Sequence, residues 1–177
     1  MTRVVIQPSY GKAETRRHWA DTLDRAVPFP EARRAGALDA EHLAGLTAAH
    51  PGGTARFWGA TARHDRTMEH IGAGDVFLLT GQKHVRGIGV VGHGFRDHAF
   101  ARWLWTPRPQ DCLWSNVYSF TDFRPTWIPY EEIWALPGFN PGDNFMGLRL
   151  LSEEKGNTIL TGLDVLAELR IPTPVQT

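Results

Sequence analysis

The middle of the chain consists of short β-rich runs separated by tight turn signals, and this pattern constrains the fold more than any other feature. Residues 76–80 (VFLLT) are typical of a buried strand, 81–84 of a hairpin loop and 85–91 (VRGIGVV) of the return strand. Further strands are predicted at 54–61, 114–120, 126–128 and 146–151. Short strands at hairpin spacing favour a small barrel over a doubly wound sheet. We therefore expect an α+β fold, an open β-barrel of five to six strands with peripheral helices.

The flanking segments are predicted to be mainly helical. Residues 3–7 (RVVIQ) predict a first strand, and 14–27 an amphipathic helix that carries apolar residues at four-residue steps. Further helices are expected at 39–50 with Asp39 as N-cap, 97–104, 129–136 and 161–170. We accordingly divide the chain into an N-terminal strand and helical adornment (1–53), the barrel (54–160) and a C-terminal helix with a Pro-containing linker (161–177). All three are expected to form a single compact domain.

The composition is that of an ordinary globular domain, with 42% hydrophobic and 21% charged residues. No apolar run has the length needed to cross a bilayer, and the N-terminus lacks a signal-peptide pattern. These features predict a cytoplasmic protein with no membrane partner. A single cysteine, Cys112, excludes an internal disulfide and a cysteine-based zinc site.

Charge is unevenly distributed although the formal net charge is zero. Residues 81–108 contain one acidic residue, Asp97, and five basic ones: Lys83, Arg86, Arg96, Arg102 and Arg108. From Glu131 onward the balance reverses, with seven acidic residues and three basic ones. A basic strand-and-turn region can hold a phosphate backbone on one face of a neutral protein. A solvated surface without a partner explains the same charges equally well.

Tryptophan is the other unusual feature of the composition. Seven occur, five of them between Trp103 and Trp134. Most should lie in the core, where the indole N–H needs a hydrogen-bond partner. Such a surplus of flat rings is also what a pocket that stacks a base or another flat ligand would require.

The sequence carries no self-evident catalytic centre or cofactor site. A nucleophile elbow, a phosphate-cradling loop and a zinc-protease motif are all absent. Residues 87–92 (GIGVVG) match the dinucleotide-binding glycine pattern, but a strand is predicted to continue where that site needs a helix. Two histidine sets, His64–Asp65–His70 and His84–His93–His98, match no standard metal spacing. We expect no cofactor and no metal, and a binding domain in preference to an enzyme.

Six segments nevertheless occur in an informative order: ARFWGAT (55–61), IGAGDVFLLT (71–80), RGIGVVG (86–92), ARWLW (101–105), WSNVYSF (114–120) and IPYEEI (128–133). Together they resemble the EVE domain of the PUA-like superfamily, in the form attached to modification-dependent restriction systems. The resemblance covers residues 54–160 and lies in pattern and spacing, with the Trp-Gly strand as its most telling part. The sequence departs from typical EVE domains in its N-terminal helical segment and in lacking their early tryptophan pair.

This resemblance implies an open barrel related to the YTH and SRA-type readers of modified bases. It also implies an activity, the binding of double-stranded DNA with one modified base flipped into an aromatic pocket, and a nuclease in a fused domain or a separate chain. The first candidate base is 5-methylcytosine, and the second is N6-methyladenine. The Pro-containing tail is consistent with a tethered module.

A flipped base needs flat walls and a few polar groups for its pairing edge. The position of Trp58 and Phe57 matches a pocket wall of EVE domains, and other residues of the same two strands are candidate readers of the base. The predicted base-pocket residues are Phe57, Trp58, Gly59, Thr61, Ser115, Asn116, Tyr118 and Phe120. The predicted phosphate contacts are the five basic residues Lys83, Arg86, Arg96, Arg102 and Arg108.

Other interpretations remain open at this point. Trp58 and Phe120 are equally consistent with ordinary core residues, and Asn116 with a turn cap. A PUA-like RNA-binding module and a small enzyme that acts on nucleotides are the alternatives to a DNA reader.

Overall fold

The computed structural model describes residues 2–105 and 114–165. Its elements, in chain order, are β1 (Val4–Pro8), α1 (Ala13–Thr22), β2 (Val27–Pro28), α2 (Pro30–Arg34), α3 (Ala40–Ala49), β3 (Thr54–Thr61), α4 (Asp65–Met68), β4 (Val76–Gly81), β5 (His84–Arg96), α5 (His98–Leu104), β6 (Trp114–Pro129), α6 (Tyr130–Trp134), β7 (Arg149–Leu150) and α7 (Glu153–Gly162). A 3₁₀ turn, Ala62–His64, leads into α4. The described helices all lack the length or the apolar character that crossing a bilayer requires.

The strands form one sheet in the order β2-β3-β6-β5-β4-β1-β7. The β1–β4 pair is parallel, and the other pairs are antiparallel. The predicted α+β class and open barrel-like sheet are confirmed. The described residues contain seven strands where we expected a barrel of five or six. Strand β2 was missed because its two residues leave too short a pattern to be recognised, and β7 covers only two of the residues predicted as a strand at 146–151.

The two central strands are longer than predicted. Segments 114–120 and 126–128 belong to a single strand, β6, that pairs with β5 over most of its length. Register shifts in the β5–β6 ladder let the pair bend, and Pro125 lies opposite Gly87 beside one of them. The break that proline indicates in the sequence is therefore a bulge within a continuous strand.

Side chains close the gap between β3 and β1, which are not paired with each other. The edge carbonyl of Phe57 accepts a hydrogen bond from Thr22 Oγ1 at 2.7 Å. The edge carbonyl of Gly59 accepts one from Gln7 Nε2 at 2.9 Å. Buried backbone groups need partners, and here α1 and β1 supply them without a backbone ladder. We call this junction the seam.

Helix boundaries differ from the sequence predictions at two places. Helix α1 ends at Thr22, short of the predicted residue 27, because Val27 and Pro28 pair with the start of β3. Helix α7 was not predicted, and Ser152 caps its first turn by accepting a hydrogen bond from Lys155 N; half of the helix predicted at 161–170 falls outside the described residues. Residues 166–170 and the Pro-containing tail lie outside the described residues. Asp39 caps α3 as predicted, accepting from His42 N.

Candidate functional site

Four aromatic rings meet beside the seam, and we call them the ring cluster: His18, Trp58, Trp105 and Trp114. The centroid of the Trp114 ring lies 4.9 Å from those of Trp58 and Trp105 and 4.7 Å from that of His18. All three contacts are edge-on, with interplanar angles of 70° to 80°. Trp114 is thus surrounded by three other rings, yet it remains partly exposed while Trp58 and Trp105 are fully buried.

The ring cluster draws on four elements that are distant in sequence. Trp58 lies on β3, Trp105 follows α5, Trp114 begins β6 and His18 lies on α1. Trp105 packs directly over Gly59, where an added Cβ would lie 3.0 Å from the indole and 2.8 Å from the carbonyl oxygen of Asn116. Glycine is therefore required at position 59 for this close approach.

Buried polar partners fix the orientation of these rings. Trp58 Nε1 donates to Ser9 Oγ at 3.0 Å, and Trp105 Nε1 donates to Thr22 Oγ1 at 3.1 Å. The hydroxyl of Tyr118, on the same side as Trp58, donates to Gln7 Oε1. Burial raises the pKa of Tyr118 well above 10, so this hydroxyl stays protonated. The interior of the sheet is thus hydrogen-bonded around its aromatic rings.

His18 is the exception, because one of its buried ring nitrogens has no partner. The residue is 5% exposed, and Nδ1 makes no hydrogen bond. Burial lowers the pKa of His18 below 6.5, so the imidazole is neutral at pH 7. An unpaired polar atom in the interior is costly, and a bound group with a complementary donor or acceptor would relieve that cost.

The structure brings some of the predicted pocket residues together and separates others. Trp58, Tyr118 and Phe120 share one buried cluster. Phe57 points to the opposite face of β3, as successive strand residues must, and packs among Phe29 and Phe100. Phe57 and Trp58 therefore cannot be two walls of one pocket.

The predicted polar readers lie at the far end of β3 and the start of β6. Asn116 is buried, and its amide donates to the carbonyl of Thr61 at 3.1 Å and to Asp65 Oδ1 at 2.8 Å. Its oxygen accepts from Arg96 Nε at 3.3 Å. Ser115 is partly buried, and its carbonyl accepts from Asp97 N. The bonds that Asn116 offers are thus already made within the protein.

A half-open cavity of about 440 Å³ adjoins Asn116. Its lining combines Phe95, whose ring stacks on His42 at 4.3 Å, with Met68, Ile71 and Arg96. Arg96 contacts Glu69 at 3.0 Å and Asp65 at 3.5 Å, so its charge is offset locally. The space next to this predicted reader is therefore lined largely by apolar side chains, and the charged and amide groups of Arg96, Glu69 and Asn116 are already paired within the protein.

The other predicted phosphate contacts occupy different surroundings. Lys83 is exposed at the tip of the β4–β5 hairpin, and Arg86 follows it on β5. Arg102 is exposed on α5. Arg108 lies outside the described residues.

Within the described residues, neither histidine set from the sequence forms a group with metal-ligand spacing. The group that does is Asp39, His42 and Asp97, with ligand atoms within 4.8 Å of one another. Asp39 and Asp97 already cap α3 and α5 through bonds from His42 N and Phe100 N. Helix capping accounts for both carboxylates, since helix N-termini attract negative charge.

Among solved structures, the chain is similar to the N-terminal domain of McrB from Thermococcus gammatolerans bound to m5C DNA. The two share 16% sequence identity and superpose with a TM-score of 0.65, over 93% of this chain and 99% of that chain. No protein-family model and no curated protein matches the sequence. The two domains share a fold, and the α+β, open barrel-like architecture expected from the sequence is confirmed.

Proposed function

We propose that this chain binds double-stranded DNA that carries a modified base, 5-methylcytosine first and N6-methyladenine second, as the targeting module of a modification-dependent restriction system. The nuclease would lie in a fused domain or a separate chain. The observation that carries this proposal is the fold shared along 93% of the chain with a domain bound to m5C DNA. Because a shared fold does not by itself imply a shared function, the argument also depends on the site.

The base is proposed to leave the helix and enter the ring cluster. A flipped base needs flat surfaces to replace its lost stacking, and each such ring contributes on the order of 1–3 kcal/mol. Trp58 and Trp105 are held in place by their N–H bonds, so they can serve as preformed walls. The ring cluster is the densest set of indoles among the described residues and lies beside the open seam.

Trp114 occupies the space that the base would need. Its ring is bordered by three other rings and is the most exposed member of the ring cluster. We propose that this indole moves aside when DNA binds, and that the smaller pyrimidine ring takes its place. The free Nδ1 of His18 would then gain a partner on the pairing edge of the base.

Of the sequence-predicted pocket residues, Trp58, Gly59 and Tyr118 support this arrangement through their positions. Thr61, Ser115 and Asn116 are proposed to border the site where β6 begins, while Phe57 and Phe120 support it from the core. Lys83 and Arg86 are proposed as the main phosphate contacts, with Arg102 and Arg108 in the same role. For Arg96, binding a phosphate would require releasing Glu69 and Asp65.

Discrimination of the methyl group is expected to be modest. Burying one methyl contributes about 0.8 kcal/mol, or roughly fourfold in affinity. A hydrophobic slot that fits poorly without the methyl typically reaches about 10- to 200-fold. We expect the affinity for the methylated duplex to exceed that for the unmethylated duplex by between about 4-fold and about 200-fold.

The test is an anisotropy titration with two short duplexes that differ only in one methylated cytosine. The wild-type protein should prefer the methylated duplex, and Trp114→Ala should change that preference. Equal affinity of the wild type for both duplexes would contradict the proposal. RNA of the same sequence serves as competitor, and tighter binding of RNA would favour the RNA-binding alternative.

Trp103→Ala is a matched control. Trp103 is another partly buried indole, but it packs on Phe100 at 5.9 Å, outside the ring cluster. Its removal should leave the preference for methylated DNA unchanged. A turnover assay on free nucleosides tests the enzyme alternative, for which no described residue favours a mechanism.

A further inference from the structure

A second group of aromatic and basic side chains lies on the β4–β5 hairpin and the adjoining end of β6, and we call it the hairpin patch: Lys83, His84, Arg86 and Trp127. Trp127 is 61% exposed, one of two large apolar side chains that stay exposed among the described residues. Its ring lies flat on that of His84, with centroids 3.8 Å apart and an angle of 16°. The protein therefore presents a rigid, stacked pair of rings to solvent.

Arg86 is held beneath this pair. Its guanidinium lies 3.8 Å from the ring centroid of Tyr10 and 4.8 Å from that of Trp127. Its Nη1 donates to Gln82 Oε1 at 2.8 Å. Register shifts in both ladders of β5 occur at Arg86, and bulges of this kind re-aim side chains. The sheet is thus locally irregular where it displays Trp127 and Arg86.

The hairpin turn is also unusual. Gln82 and Lys83 have φ values of 53° and 61°, in the left-handed region that glycine and asparagine normally occupy in such turns. Strained backbone of this kind persists where the surrounding structure requires it, often at sites of binding. Here the turn places a lysine at the outermost point of the hairpin, next to the exposed rings.

The hairpin patch is connected to the ring cluster through continuous ring contacts. Tyr10 packs on Trp19 at 5.3 Å, and Trp19 packs on Trp58 at 5.8 Å. Added Cβ atoms at Gly81 and Gly87 would collide with Tyr10 and with Phe123, so both glycines permit this packing. Arg86, which lies against both Tyr10 and Trp127, joins the hairpin patch to this series of contacts and so to Trp58.

We infer that the hairpin patch is a second nucleic-acid contact, in which Trp127 stacks on a base that has lost its pairing partner while Lys83 and Arg86 contact the adjoining phosphates. Flat exposed rings combined with cations suit unpaired bases, because every nucleotide has a base with a stacking face and an adjoining phosphate. Extruding one base from a duplex leaves such an unpaired base opposite it. The inference rests on the proposed function for the source of that base.

The experiment compares Trp127→Ala with the wild type on three short duplexes: one with a single 5-methylcytosine, one unmodified, and one unmodified with a base opposite an abasic site. Affinity for the first and third should fall about tenfold, since one stacked base is lost. Affinity for the intact unmodified duplex should change little. Met146→Ala, which removes the other large exposed apolar side chain (75% exposed), should match the wild type on all three.

The outcomes separate the two proposals. If Trp127→Ala binds the duplex with the abasic site as tightly as the wild type does, the inference is overturned. An equal loss of affinity for all three duplexes would overturn it as well. If the wild type shows no preference for 5-methylcytosine but Trp127→Ala still weakens binding to the abasic duplex, the proposed function fails and the hairpin patch stands.

Discussion

The ring cluster and the hairpin patch use the same residue types in opposite ways. In the ring cluster, Trp58 and Trp105 are fully buried and both indole N–H groups are bonded. On the hairpin patch, Trp127 is mostly exposed, stacks on His84 and lies against the guanidinium of Arg86. Buried and bonded rings stabilise the fold, whereas an exposed ring beside cations contributes little to stability and is available to a partner. The comparison predicts that mutations in the ring cluster lower the free energy of unfolding, whereas mutations in the hairpin patch mainly affect DNA binding.

The largest expected difference is in the free energy of unfolding. Trp58→Ala should lower it by about 3–5 kcal/mol, because the change leaves a cavity and removes the hydrogen bond that Ser9 Oγ accepts from the indole. Trp127→Ala should change it by less than about 0.5 kcal/mol, as for most surface substitutions. Urea denaturation of both variants checks this, and similar losses in both would break the comparison.

A smaller effect is expected at the glycine beneath Trp105. Gly59→Ala should lower the free energy of unfolding by about 1–3 kcal/mol, because the new methyl would collide with a carbonyl oxygen and an indole ring. Gly94→Ala is the control, since its nearest neighbours would lie 3.8 Å away. The two variants are compared by thermal unfolding, and an equal shift in Tm would show that the ring cluster tolerates displacement of Trp105.

The pH dependence of stability should reveal the unpaired imidazole. The pKa of His18 is lowered by burial, so the unfolded chain binds a proton more readily than the native protein does. The free energy of unfolding is therefore highest above the unfolded pKa of about 6.5, where His18 is neutral in both states, and it falls as the pH drops below that value. His18→Gln should flatten this dependence between about pH 7 and 5 in urea titrations. His50, His64 and His93, whose pKa values are also lowered by burial, contribute to the slope that remains.

The smallest effect concerns salt. Lys83→Ala should leave stability unchanged and reduce the slope of log affinity against log salt by about 1, because one phosphate contact is lost. Arg25→Gln is the matched control, since this exposed cation on the N-terminal side contacts Asp21 at 3.5 Å. An unchanged slope for Lys83→Ala would remove the hairpin tip from the proposed DNA surface.

Local sequence patterns predicted much of the fold, because strands and helix caps depend on residues that are close together in the sequence. The 54–61 strand and the Asp39 cap were found where expected. The period of two along a strand also implies that Phe57 and Trp58 face opposite sides, although both were predicted to line one pocket. Local patterns could not predict that β6 is continuous, since its break signal is absorbed by register shifts that depend on β5.

The ring cluster was predicted only in part. Trp58 was expected to be a pocket wall, but His18, Trp105 and Trp114 were not among the predicted pocket residues. These three reach it from α1, the end of α5 and the start of β6, and no local pattern encodes that meeting. The sequence offered one usable signal, a predicted strand that begins with Trp114 and continues with polar residues.

The seam determines how readily β3 can move relative to β1. Any movement of β3 away from β1 breaks individual side-chain bonds, each worth about 1 kcal/mol, and leaves every strand-to-strand backbone pairing intact. The seam beside Trp58 is therefore held by few hydrogen bonds, whereas β5 and β6 are paired by their backbones along most of their length. Opening along this line gives a buried indole a short path to a ligand at little cost to the rest of the sheet.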